Sequence, residues 1–141
     1  MAKLILVFAV VIFGIHIPAT AFGWYYALSW LDIPMHILGG AWLGLIFYYI
    51  FRIRKPELGA KNNWSFFVFG LGFVMLVGVV WEFYEFFFDV FIFKKYPLMA
   101  SPPDVHFDTM LDLLDDIIGA AVGLGITTVL FKKKNDNDSL V

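Results

Sequence analysis

The sequence predicts an all-α integral membrane protein, a four-helix bundle with both termini in the cytoplasm. Three observations carry this. Of 141 residues, 61% are hydrophobic, 20% aromatic and only 16% charged, against about 45–50% apolar and about 25% charged in soluble domains. The apolar excess is gathered into four long runs instead of being spread along the chain, which is the membrane pattern. Runs such as LILVFAVVIF and FFVFGLGFVMLVGVVW do not alternate with polar residues as a membrane β-barrel requires. Backbone groups in lipid must pair within their own segment, so the runs are helices.

The spans follow in order. The first covers about residues 4–22, from Leu4 to Phe22. The second covers 34–51, from Pro34 to Phe51. The third starts at Trp64 and covers about 64–90, its apolar character persisting to Phe93. The fourth covers 107–131. Each approaches or exceeds the roughly 20 residues that cross a bilayer at 1.5 Å rise per residue. Residues 1–131 form one transmembrane domain, and 132–141 form a tail that is basic and then polar, with NDNDSLV expected to be irregular. The first run also fits a secretory signal: Lys3, an apolar stretch, Pro18 and the small-residue site Ala19-Thr20-Ala21. It is long enough to span once residues 16–22 are included, and retention as a helix is expected.

Charge sets the orientation. Lys3, Arg52, Arg54, Lys55, Lys61 and Lys132 to Lys134 make eight of the ten basic residues, all at one end of the expected spans. The loop before the second span has none, and the loop before the fourth has only Lys94 and Lys95. Basic loops stay on the cytoplasmic side, which places residues 94–106 outside. Trp24, Tyr25, Tyr26 and Trp30 fit an outer aromatic belt and Trp64 an inner one. The net charge of −2 gives no footprint for nucleic acid. With no cysteine, disulfides, thiolate metal sites and cysteine nucleophiles are excluded.

Nine of the twelve acids collect at the opposite, outer end: Asp32, Glu82, Glu85, Asp89, Asp104, Asp108, Asp112, Asp115 and Asp116. His36 joins them. Helical spacing puts Asp32 and His36 (i, i+4), Glu82, Glu85 and Asp89 (i, i+3, i+7), and Asp108, Asp112 and Asp115 (i, i+4, i+7) each on one face. Three such faces turned inward make one acidic pocket opening to the outer surface. Capping or solvation offers a plainer account of Asp32 and Asp108 at helix starts and of Asp89 and Asp104 at the interface. His16 and His106 read as structural, and the glycines as close-packing positions, Gly119-x-x-x-Gly123 among them.

An ionised acid near the bilayer centre costs about 2.5–3.5 kcal/mol on insertion scales, and no Lys or Arg lies within the second, third or fourth apolar segment to neutralise the set. Protons, a bound cation or hydrogen bonds must compensate. Carboxylates with one imidazole suit a divalent ion, with His36, Glu82, Glu85, Asp112, Asp108 and Asp32 as candidate ligands and Asp115 or Asp116 as a candidate catalytic base. Signatures of P-loops, HExxH metalloproteases and GxSxG hydrolases are missing.

The ordered set D32-I-P-M-H36-I-L-G-G40, W81-E82-F-Y-E85 and D108-T-M-L-D112-L-L-D115-D116-I-I-G119-A120-A-V-G123 resembles the VanZ-like group of small membrane proteins and their YjdF-like relatives, over about residues 30–125. Glu85 stands where many VanZ-like members have Gln, Asp115 where many have Asn, and the basic residue usual before the last helix is replaced by the Pro102-Pro103 neighbourhood, which favours the YjdF-like side. The resemblance implies a shared polar site without supplying its reaction. Three readings stand side by side: a metal-dependent enzyme acting on a lipid or lipid-linked envelope substrate, a non-catalytic binder of an amphipathic ligand or envelope partner, and a cation- or proton-handling protein.

Overall fold

The protein, seen here as a computed structural model, is described over residues 1–92 and 102–138, without the side chains of 89, 102–105 and 129–138. Most of the loop expected outside, and the interfacial side chains expected of Asp89 and Asp104, lie outside the described residues. Among the described residues every regular element is helical. Helix α1 runs Ala2–Phe22, α2 is the single turn Trp24–Ala27, α3 runs Asp32–Tyr48, α4 runs Asn63–Phe87 and α5 runs Pro102–Asp138. α3 continues through a wider turn to Arg54 and α4 through another to Ile92. The segments Ala2–Phe22, Ser29–Arg54 and Asn63–Ile92 are long and apolar enough to cross a membrane. α5 is the fourth long helix, and its first turns carry the acids.

Each boundary has a local cause. α1 stops at Gly23, whose φ of 71° is left-handed and whose N–H bonds back to the Ala19 and Thr20 carbonyls. α4 starts where the Asn62 side chain accepts from the Trp64 N–H at 2.8 Å. α5 begins at Pro102, five residues before the expected start, because proline fits a first helical turn. It also continues to Asp138, through the tail expected to be irregular: no Gly or Pro intervenes after Gly125, and Lys132 to Lys134 are good helix formers.

α3 and α5 are the most closely packed pair. A Cβ at Gly40 would collide with the Asp116 backbone, and one at Gly119 with the Ile37 carbonyl, so these two glycines bring the helix backbones into contact. α4 closes over them, and α1 lies at the periphery with only Ile12 and Ala19 buried. It is tied to α3 by Trp42 Nε1–H donating to the Ile5 carbonyl at 2.9 Å and by an edge-to-face pair of Phe13 and Trp42. At the basic end, Phe47, Tyr48, Phe66 and Leu124 form an apolar cluster. Arg52 lies 4.1 Å above the Phe66 ring and donates to Asn63 Oδ1 at 2.9 Å, joining the end of α3 to the start of α4.

Polarity is inverted relative to a soluble bundle. Leu6, Val10, Phe69, Leu76, Phe83 and Met110 are 63–69% exposed, while His36, Asp112, Asp116 and Thr127 are at most 5% exposed. Apolar side chains turned out and ionisable ones turned in suit lipid as the surrounding solvent.

Candidate functional site

The site is built at the acidic end, around His36. This residue sits one turn into α3, i+4 from Asp32, so both side chains occupy one face. Asp32 Oδ1 lies 3.6 Å from His36 Nε2. Asp32 opens α3 without making a capping bond, so its capping role does not hold. From α5, Asp112 Oδ1 lies 3.9 Å from Nε2 and Asp116 Oδ1 lies 3.4 Å from Nδ1. The imidazole therefore stands among three carboxylates, with two of them sharing one ring nitrogen.

From α4 come Glu82 and Glu85. His36, Glu82 and Glu85 can bring one ligand atom each within 4.8 Å of one another, and so can Asp32, His36 and Asp112. Glu82 Oε1 is buried with no hydrogen-bond partner, while the carboxylate's other contact is the Thr109 hydroxyl. Donors bound to one ion at about 2.0–2.2 Å stand no more than about 4.4 Å apart. The His36–Asp32 and His36–Asp112 separations fall inside that limit, so these groups could hold a metal ion.

Two expected members stand apart. Asp108 is exposed, and its place in the second turn of α5 removes the capping account. Asp115 is half-buried and belongs to neither metal-capable group. The expected face 108–112–115 is displaced: the buried side of α5 runs through Asp112, Asp116, Ala120, Leu124 and Thr127. Contact of Gly119 and Gly123 with the α3 backbone chooses that side, and Asp116 enters with it. A Cβ at Gly78 on α4 would collide with the Asp116 carboxylate, so that glycine admits the same side chain from the third helix.

His16 makes structural contacts of the kind expected and also lines the space beside the site. Its Nδ1 is hydrogen-bonded to the Tyr25 hydroxyl at 2.9 Å, and its ring centroid lies 5.1 Å from that of Trp81. Burial, with the charges of Asp32 and Glu85, raises the Tyr25 hydroxyl above the usual phenol range, so it stays protonated. Both residues line a cavity of about 120 Å³ that also reaches Asp32, His36, Glu85 and Asp116. A histidine in an otherwise apolar span was the sequence signal for this. Tyr25 had none, because it lay among other belt aromatics.

Beyond Asp116 the buried face of α5 is apolar as far as Thr127. Ala120 and Leu124 are fully buried, and the Thr127 hydroxyl donates to its own helix at the Gly123 and Leu124 carbonyls, 2.9 Å each. Asp32 and Arg54 lie at opposite ends of one continuous helical segment, roughly 30 Å apart at 1.5 Å per residue, about the hydrocarbon thickness.

A family model described as a predicted membrane protein, DUF2238, matches residues 1–133, and the chain belongs to that family. No curated protein and no solved structure matches it.

Proposed function

We propose that this DUF2238 membrane protein binds a divalent metal ion between α3, α4 and α5 and acts on a lipid or lipid-linked envelope substrate. The observation that carries the reading is His36: 5% exposed, it has carboxylates from two helices around its ring and glutamates from a third with ligand atoms within 4.8 Å. Without Lys or Arg among them, so many acids around one imidazole repel one another strongly in a poorly solvated setting, and a cation is the most direct compensation. Mixed imidazole and carboxylate donors suit Zn²⁺, Mn²⁺ or Fe²⁺. A bound ion of this kind supplies Lewis acidity toward an ester or phosphate oxygen.

Asp32, His36, Glu82, Glu85 and Asp112 are the proposed ligands, with Asp108 at the rim. Asp116, held against His36 Nδ1, is the proposed base, and Asp115 the alternative one turn-face away. The basic residues of the opposite end favour an extracytoplasmic site by the positive-inside rule. The resemblance to VanZ-like and YjdF-like proteins supports this reading through Asp32, His36, Glu82, Glu85 and Asp112, and is proposed to extend to a common polar site.

The test is elemental analysis of protein purified without added metal. About one transition metal per chain is expected in the wild type and less than a tenth of that in His36→Ala. Equal metal in both, or none in either, would overturn the reading. The cavity beside the site favours a second reading, a binder of an amphipathic ligand. The apolar face of α5 below Asp116 argues against a relay of ions across the bundle.

A further inference from the structure

We infer that the cavity beside His36 is a binding site for a small alkylammonium, an apolar body of about five carbons with a cationic head. This rests on the second reading above and makes no use of a metal. The cavity's walls are apolar, with Phe13, Met35, Trp42, Leu43, Val77 and Trp81 drawn from three helices. At about 120 Å³ it is of the order of the 150 Å³ apolar cavity that accommodates benzene, a molecule of six heavy atoms. Its polar residues are three carboxylates, Asp32, Glu85 and Asp116, with His16, His36 and Tyr25; two of the acids face His36, and the carboxylates outnumber the imidazoles. A head that donates hydrogen bonds and carries positive charge complements the acids, an anionic head is repelled, and the aromatic walls favour a cation further.

Gly39 is the second observation. It lines the cavity from the middle of α3, its φ is not positive, and a Cβ built there meets nothing within 4 Å. Neither backbone conformation nor helix packing requires glycine at this position, whereas at Gly40 packing does. Glycine lowers helix stability relative to alanine. What Gly39 keeps is open space beside His36. Gly14, Gly72 and Gly125 are likewise free of neighbours, and of these four glycines Gly39 is the one that lines the cavity.

The experiment uses the full chain in detergent micelles, ¹³C-methyl-labelled at methionine, with EDTA present. The probes are n-pentylammonium, pentan-1-ol and pentanoate. Met35 is buried and lines the cavity, and Met75 and Met110 serve as internal references. A saturable shift of the Met35 methyl is expected with pentylammonium, at least tenfold tighter than with pentanoate and tighter than with pentanol. Gly39→Leu, which fills the cavity, should abolish it. Gly39→Ala should weaken it several-fold and keeps the test open if the leucine variant does not fold. Gly72→Ala, in α4 and also free of neighbours, should leave it unchanged. A Met35 shift that does not saturate, that is equal for ammonium and carboxylate, or that survives both Gly39 variants overturns the inference. Because no metal is present, that failure leaves the metal measurement untouched, and the absence of bound metal leaves this one untouched.

Discussion

His36 Nδ1 stands 3.4 Å from Asp116 Oδ1, and it is Gly40, one turn along α3 from the histidine, that lets the α5 backbone at Asp116 come so near. The helix contact and the His36–Asp116 contact are one feature: two backbones meet, and the side chains beside the contact are pressed into a common space. Gly78 repeats the arrangement from α4. The site is a consequence of small residues as much as of acidic ones.

Gly40→Ala should therefore damage both stability and site. The added methyl meets backbone, which cannot rotate away, and overpacking of this kind costs about 1–3 kcal/mol. A lowered Tm in detergent is expected, together with loss of bound metal. Gly39→Ala, its neighbour, faces open space and should hold or raise the Tm, by up to about 1 kcal/mol of helix propensity. Equal thermal shifts for the two would contradict the close approach of α3 and α5.

Orientation can be read by single cysteines, because the natural chain has none. Ser29 lies just before α3 at the acidic end, and Asn62 caps α4 at the basic end. An impermeant thiol reagent on intact cells should label Ser29→Cys and spare Asn62→Cys. Labelling of Asn62→Cys alone would turn the bundle over and put the acids in the cytoplasm.

Arg52 should act as a local tie between α3 and α4. It has one hydrogen bond to Asn63 and one ring contact with Phe66, and exposed cation–π contacts are worth about 0.5–1 kcal/mol. Arg52→Ala should lower the thermal midpoint by an amount matching about 1 kcal/mol, without changing metal content. A change in metal content would mean that the two ends of the bundle are coupled.

The long apolar runs and the gathering of acids at one end were legible in the sequence because both are properties of spacing along a single helix. Which acids face inward was not. The face of α5 is chosen by contact of Gly119 and Gly123 with α3, a relation between two helices that no periodicity within one can express. Asp115 was expected on the inner stripe for that reason, whereas Asp116 holds the place beside His36. His16 and Tyr25 escaped for a related cause: they meet across the turn at Gly23, nine residues apart and on different helices. α5 starts five residues ahead of its apolar run, because the run begins at Phe107 whereas Pro102 opens the helix.

Glu82 provides the last prediction, because its two possible states give opposite signs in one variant. Its Oε1 is buried without a partner, and ligand atoms of His36, Glu82 and Glu85 lie within 4.8 Å of one another. In EDTA Oε1 is a buried acceptor without a partner beside other carboxylates, and an unsatisfied buried group costs about 1–3 kcal/mol. Glu82→Gln removes that carboxylate, so its Tm in EDTA should exceed that of the wild type. With a binding metal added, the order should reverse. The wild type gains RT ln(1 + [L]/Kd), about 2.7 kcal/mol at one hundred times Kd, and the amide, a poorer ligand than a carboxylate, forfeits most of that gain. Glu57→Gln, at the basic end, should track the wild type in both conditions. A Glu82→Gln variant more stable than wild type with and without every divalent ion tested would show that the carboxylate is no ligand. One less stable than wild type in EDTA would show that Oε1 is stabilised in the metal-free protein, and the premise that a cation is needed there would fall.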